Sequence, residues 1–121
     1  MDIWEHLKFF TKQEMACKCG CGQAHMDPRF MLTLDTAREE AGVPFIITSG
    51  FRCAEHNRRV GGVADSAHVK GMAADIFILD SQHRFSLLKV AFKYFKRIGL
   101  TSTFIHVDND YSKAQHTAWP Y

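Results

Sequence analysis

A carboxylate stands in the middle of an apolar run. Met72-Ala73-Ala74-Asp75-Ile76-Phe77-Ile78-Leu79 reads as a buried strand, and Asp75 interrupts it. A partly desolvated carboxylate is costly unless donors or a cation compensate. Any fold built on this strand must therefore bring compensating groups to Asp75 from elsewhere in the chain. A metal ion is an effective compensator. His68 lies upstream, before Gly71, and a turn at that glycine lets the chain double back and set the His68 ring beside Asp75.

A second polar pair sits in Phe104-Ile105-His106-Val107-Asp108. Alternate residues of a strand share a face, so His106 and Asp108 point one way while Ile105 and Val107 point into the core. His68, Asp75 and His106 together offer two nitrogens and one oxygen. That donor set suits zinc with a fourth position open to water, whose pKa the metal lowers to about 7. Asp108 is then the expected general base, taking the water's proton and passing it to a leaving amine. Arg52, just past a strand end, is placed to hold a scissile carbonyl oxygen as it becomes negative, or a substrate carboxylate. Each residue also has an ordinary explanation when taken singly. A lone buried His is usually a hydrogen-bonded core residue, Asp75 could cap a turn or pair with an Arg, and His106 with Asp108 could form a solvent-facing strand edge. It is the set that points to a metal.

The remaining elements place these residues. Residues 1–26 read as irregular, with a Cys- and Gly-rich turn at 17–22. Asp27 reads as a helix N-cap with Pro28 at the first helical position, Phe30, Met31, Leu34, Ala37 and Ala41 follow at helical spacing, and Gly42 ends the helix. Pro44 to Ser49 reads as a strand, Ala54 to Val60 as a short helix, Met72 to Leu79 and Thr103 to Asp108 as further strands. Ser81 is expected to cap a helix running to about Arg97, with Phe85, Leu88, Phe92 and Phe95 on its buried face and Gly99 at its end. Lys93, Lys96 and Arg97 read as a solvated helix face and favourable end charges. The expectation is an α+β domain with a small, mostly antiparallel sheet and helices packed on it.

At 121 residues the chain suits a single domain, residues 1–121, and its ten Phe and two Trp can fill a core. A net charge of +2 is too mild to argue for nucleic acid. No run of about 18 apolar residues occurs, so no membrane span is expected. No secretory signal is visible after Met1-Asp2-Ile3-Trp4-Glu5, so synthesis in the cytoplasm is expected. Cys17, Cys19 and Cys21 fall close together, with Cys53 apart; structural metal (with His25 or Cys53 as a further ligand), a disulfide to Cys53, and free thiols all remain open. His56-Asn57-Arg58-Arg59 is a weak hint of a His-based nuclease and reads better as a short polar helix beside the site. Trp119 and Tyr121 read as packed tail residues, with a groove-lining role open.

Ser66-Ala67-His68-Val69-Lys70-Gly71-Met72-Ala73-Ala74-Asp75 resembles the first zinc motif of the D-alanyl-D-alanine metallopeptidases, Ser-x-His-x-x-Gly-x-Ala-x-Asp. Thr48-Ser49-Gly50-Phe51-Arg52 is similar to that family's Ser-Gly-Tyr-Arg segment with Phe51 for Tyr, and His106-Val107-Asp108 to the His-x-Asp of one branch. The Cys-rich opening and the ending near Trp119 and Tyr121 resemble short phage and prophage members. The resemblance implies a fold shared with the Hedgehog signalling domain, zinc held by His68 and Asp75, and supporting roles for Arg52 and Ser66 in binding substrate. Many relatives place an acidic base three residues before the last His ligand. Tyr111 stands where that His would follow Asp108, so His106 is the expected third ligand and His116 the fallback. The implied function is zinc-dependent hydrolysis of peptide bonds in peptidoglycan stem or cross-bridge peptides, as an endopeptidase or D,D-carboxypeptidase. The implied place of action is the bacterial cell wall or periplasm, reached by lysis, a phage particle or a pore, and the protein is expected to be a monomer. The other readings are a catalytically silent zinc domain that binds cell-wall peptide as a phage structural part, and a metal nuclease.

Overall fold

A computed structural model describes residues 2–121 as an α+β domain. The chain opens with a 3-10 turn, Ile3–His6, and a short helix α1, Lys12–Met15. Thr11 and Glu14 form a capping box around the start of α1. The opening segment is thus more ordered than its composition implies, because this box satisfies N–H groups locally where no hydrophobic period is visible.

Helix α2 spans Pro28–Ala41 with the expected punctuation. The Asp27 carboxylate accepts from the N–H groups of Arg29 and Phe30 at 2.8 and 3.1 Å, a cap worth about 1 kcal/mol. Gly42 closes the helix in the left-handed conformation. Strand β1, Ile47–Ser49, helix α3, Ala54–Arg59, and strand β2, Ala73–Phe77, follow.

Helix α4 runs only from Ser81 to Tyr94. Its N-cap is Asp80, which accepts from the His83 N–H at 2.8 Å, and Ser81 is the first helical residue instead of the cap. The buried face differs from the expected one. His83, Leu87, Val90 and Ala91 pack inward, whereas Phe85 and Phe92 are exposed. Of the four residues expected on the buried face, Leu88 is partly buried, and Phe95 is buried only after the helix has ended. Small and branched side chains let α4 lie close on α2, which leaves the larger rings outside. Arg97–Leu100 is not helix but strand β3, because Ile98 and Gly99 have sheet partners on both sides. Strand β4 is Phe104–Asp108, and the tail Thr117–Pro120 forms β5.

The five strands lie in the order β1-β2-β4-β3-β5. Every neighbouring pair is antiparallel except β3 with β5, which is parallel. One sheet face carries Ala74, Ile76, Ile98, Ile105 and Val107 into a core shared with Phe30, Met31, Leu34, Leu87 and Val90 of the two long helices. The alternating residues of the same strands, Asp75, His106 and Asp108, occupy the other face. The register sets Asp75 directly opposite His106, and His106 opposite Gly99. No described helix is long and apolar enough to cross a membrane.

Candidate metal centre and active site

The polar face of the sheet is roofed by the segment from Gly50 to Met72 and by the C-terminal tail. Gly71 makes the first approach possible. It sits at φ +72°, and a Cβ there would collide with the backbone carbonyl of His25. The chain turns at this point and runs straight into β2, which sets the His68 ring over Asp75 as the spacing suggests.

The His68 side chain is fully buried. Its Nδ1 lies 2.8 Å from the Gly50 carbonyl, which can only accept, so Nδ1 carries the proton. Nε2 is left with a lone pair and has no hydrogen-bond partner. It lies 3.2 Å from Asp75 Oδ1, an acceptor facing an acceptor. Buried polar atoms are rarely left this way, and a cation between the two satisfies both. His106 completes the arrangement: its Nδ1 is 2.9 Å from the same Asp75 oxygen. One ligand atom each from His68, Asp75 and His106 lies within 4.8 Å of the others. Two imidazoles and a carboxylate, all buried, are the donor set a zinc ion takes in an open catalytic site, so the residues present fit the metal.

The electrostatics agree. Burial pushes the Asp75 carboxyl up, but the His106 side chain hydrogen-bonded to it pulls the other way and takes it below the ordinary carboxylate range, so the group is ionised at neutral pH. Burial pushes the His106 imidazole down, and the carboxylates of Asp108 and Asp75 on its two edges reverse that and raise it. Negative charge is concentrated here, and a cation is its natural counterpart.

Asp108 lies across the ring from this cluster. Its Oδ2 accepts from His106 Nε2 at 2.6 Å, and its Oδ1 accepts from Arg97 Nε at 2.9 Å and from the Asp110 N–H at 3.1 Å. Both oxygens are thus engaged, and the residue is 1% exposed. Arg52 is half-buried; its guanidinium donates to Asn57 Oδ1 at 3.0 Å and reaches Ser49 Oγ at 3.5 Å, and its N–H donates to the His68 carbonyl. Ser66 Oγ accepts from the His68 N–H at 3.2 Å and so braces the loop that presents the imidazole. His116, the fallback ligand, is exposed and lies apart, beside Phe92 and Phe95. The segment from His56 to Arg59 falls in α3, where buried Asn57 braces Arg52.

Several residues shape the site in roles that the sequence does not reveal. Arg97 reads in the sequence as a helix-end charge; in the fold it reaches from β3 to Asp108 and lies over the Trp119 ring at 4.7 Å. Asp110 is 1% exposed and binds Lys70 Nζ at 2.8 Å, Lys113 Nζ at 3.0 Å and Ser112 Oγ at 2.6 Å, tying the His68 loop to the end of β4. In the sequence it is one Asp in a polar turn, with no signal to separate it from a solvated loop residue. Tyr121 stacks on His106, with centroids 4.5 Å apart and planes 14° apart. Gly99, opposite His106, makes room for this ring: a Cβ would sit 2.8 Å from the Tyr121 Cβ. Burial raises the Tyr121 hydroxyl, the Asp75 charge adds to that, and Arg52 opposes it.

A cavity of about 260 Å³ is bounded by Val63, Ser66, Arg97, Lys113, Trp119 and Tyr121, with His106 and Asp108 in its wall. A cavity of equal volume beside Arg29, Tyr94 and Tyr111 lies off this cluster, and none of its lining residues belongs to the ligand set. The sequence profile described as Peptidase M15 matches residues 8–108, which include all three ligand candidates. No curated protein matches the chain.

Proposed function

The chain belongs to the Peptidase M15 family, and on that premise we propose that it is a zinc-dependent peptidase that hydrolyses peptide bonds of bacterial peptidoglycan. The observation that carries the metal is the orphaned Nε2 of His68, buried and aimed at the Asp75 carboxylate. His68, Asp75 and His106 would hold the ion. When bound, zinc supplies a Lewis acid able to acidify water and to polarise a carbonyl.

The chain's own residues do the rest. Gly50 fixes the His68 tautomer through Nδ1, so Nε2 is free to ligate. Asp108 fixes His106 in the same manner through Nε2, leaving Nδ1 toward Asp75. With both its oxygens occupied by donors, Asp108 serves in this reading as the positioning residue of His106, in place of the general base expected from sequence. Arg52, steadied by Asn57, is the group we assign to a substrate carbonyl oxygen or carboxylate. Trp119 and Tyr121 on the cavity wall offer a peptide apolar surface. In this reading it acts as a monomer. The place of action we propose is the cell wall, with delivery by phage or lysis.

The test is digestion of purified peptidoglycan, with new amino groups counted and products weighed by mass spectrometry. Release that stops with a chelator, returns with zinc and is absent in His68→Ala supports the reading. A zinc-loaded protein that binds peptidoglycan and releases nothing refutes the peptidase and leaves a binding domain. The masses of the products distinguish an endopeptidase from a carboxypeptidase.

A further inference from the structure

A second group of metal-ligating side chains lies away from the hydrolytic cluster. Cys17, Cys19 and Cys21 come from the loop after α1, and Cys53 from the N-cap of α3. The four carry no disulfide. Their sulfurs all lie within 4.8 Å of one another. Cys17 is 3.4 Å from Cys19 and 3.7 Å from Cys53, and Cys19 is 3.8 Å from Cys53. A disulfide would bring one pair to about 2.05 Å and leave the other two thiols aside. A tetrahedral ion with zinc–sulfur bonds of about 2.3 Å places its sulfurs about 3.8 Å apart. The observed separations follow the second pattern.

The surrounding backbone treats these sulfurs as acceptors. The Cys53 N–H points at Cys17 Sγ and the His56 N–H at Cys53 Sγ, both at 3.4 Å. The loop is folded to converge its sulfurs by the Cys17 N–H donating to the Gln23 carbonyl at 2.8 Å and the Gly20 N–H donating to the Cys17 carbonyl at 3.3 Å. Cys17 is buried and Cys19 and Cys53 pack against the core, so three of the four ligands are already held.

We propose that Cys17, Cys19, Cys21 and Cys53 form a tetrathiolate site for a second, structural zinc ion. Four thiolates fill a tetrahedral shell and leave no open position, so the site takes no part in hydrolysis. Its work is to fasten the loop at 17–22 to the segment that carries Gly50 and Arg52. Gly50 sets the His68 tautomer, and Arg52 neighbours Cys53 directly. The second zinc therefore holds in place the strand end on which the hydrolytic cluster depends. The Phe51 N–H donating to the Met15 carbonyl at 2.8 Å marks the same junction.

The experiment is native mass spectrometry of the full chain purified with zinc, beside thiol titration and cobalt substitution. Two zinc ions per chain are expected. His68→Ala should keep one zinc, and Cys53→Ser should keep the other. Cys21→Ser, at an exposed position, tests the site with the least disturbance to the core. The four thiols should resist a thiol reagent until a chelator is added and then all react. Thiolate-to-cobalt charge transfer should appear in the wild type and in His68→Ala and be absent from Cys53→Ser. A single zinc lost in His68→Ala, with all four thiols reacting at once in the untreated protein, overturns the proposal. So does a mass two hydrogens lighter, which marks a disulfide. Neither result touches the peptidase reading, which stands or falls on His68.

Discussion

Replacing Asp108 by Asn separates the two tasks a carboxylate could have beside His106. The wild-type side chain accepts from His106 Nε2 and from Arg97 Nε through different oxygens. Asn keeps one oxygen and turns the other into an NH2 donor. Whichever way the amide is oriented, a donor then faces a donor, at His106 or at Arg97. The His106 contact is short, at 2.6 Å, and both side chains are at most 4% exposed. Bonds to charged groups in such surroundings are worth about 1.5–3 kcal/mol. Loss of the carboxylate partner of a metal-ligating His lowers metal affinity about 10–100-fold, or about 1.4–2.7 kcal/mol at 1.36 kcal/mol per tenfold. The two figures agree, so zinc affinity in Asp108→Asn should fall by that factor, read by competition with a chromogenic chelator. Turnover should recover when zinc is raised to saturation. If affinity is unchanged and turnover at saturation collapses, Asp108 acts on the proton of the reaction and the positioning argument fails.

Further outcomes follow from the same geometry. Gly71→Ala should destabilise the fold by more than about 1 kcal/mol in denaturant titration, since a left-handed φ is disfavoured and the new Cβ meets the His25 backbone. Burial raises the Asp110 carboxyl, but Lys70, Ser112 and Lys113 together outweigh it and hold its folded-state pKa below the ordinary carboxylate range. Its ionised form stabilises the fold above about pH 4, and that contribution fades as pH falls further. Asp110→Asn should therefore cost roughly 1–2 kcal/mol at pH 7 and flatten the acid limb of the stability curve; an unchanged limb would count against the clamp. Leu87→Ala should cost about 2–5 kcal/mol, and Phe85→Ser should stay within about 0.5 kcal/mol of wild type, which checks which face of α4 is buried.

The ligand candidates and much of the frame around them can be read from the residues alone. Asp75 in an apolar strand, His68 before a glycine turn and His106 with Asp108 at a spacing of two are local patterns, and local patterns survive without knowledge of the fold. The same holds for α2, whose Asp27 cap, Pro28 start and Gly42 stop are each set by backbone chemistry within a few residues. What lay beyond reach was anything decided by partners distant in the chain. Arg97 looks like a helix-end charge until β3 pairs with β4 and β5, and only then does it face Asp108. The buried face of α4 depends on how closely α2 approaches, so the large rings that dominate its pattern point outward. Tyr121 meets His106 only because β5 returns alongside β3 over the space that Gly99 leaves. Side-chain chemistry is written in single residues, while burial, charge pairing and the closing of the site are properties of contacts that exist only once the chain has folded.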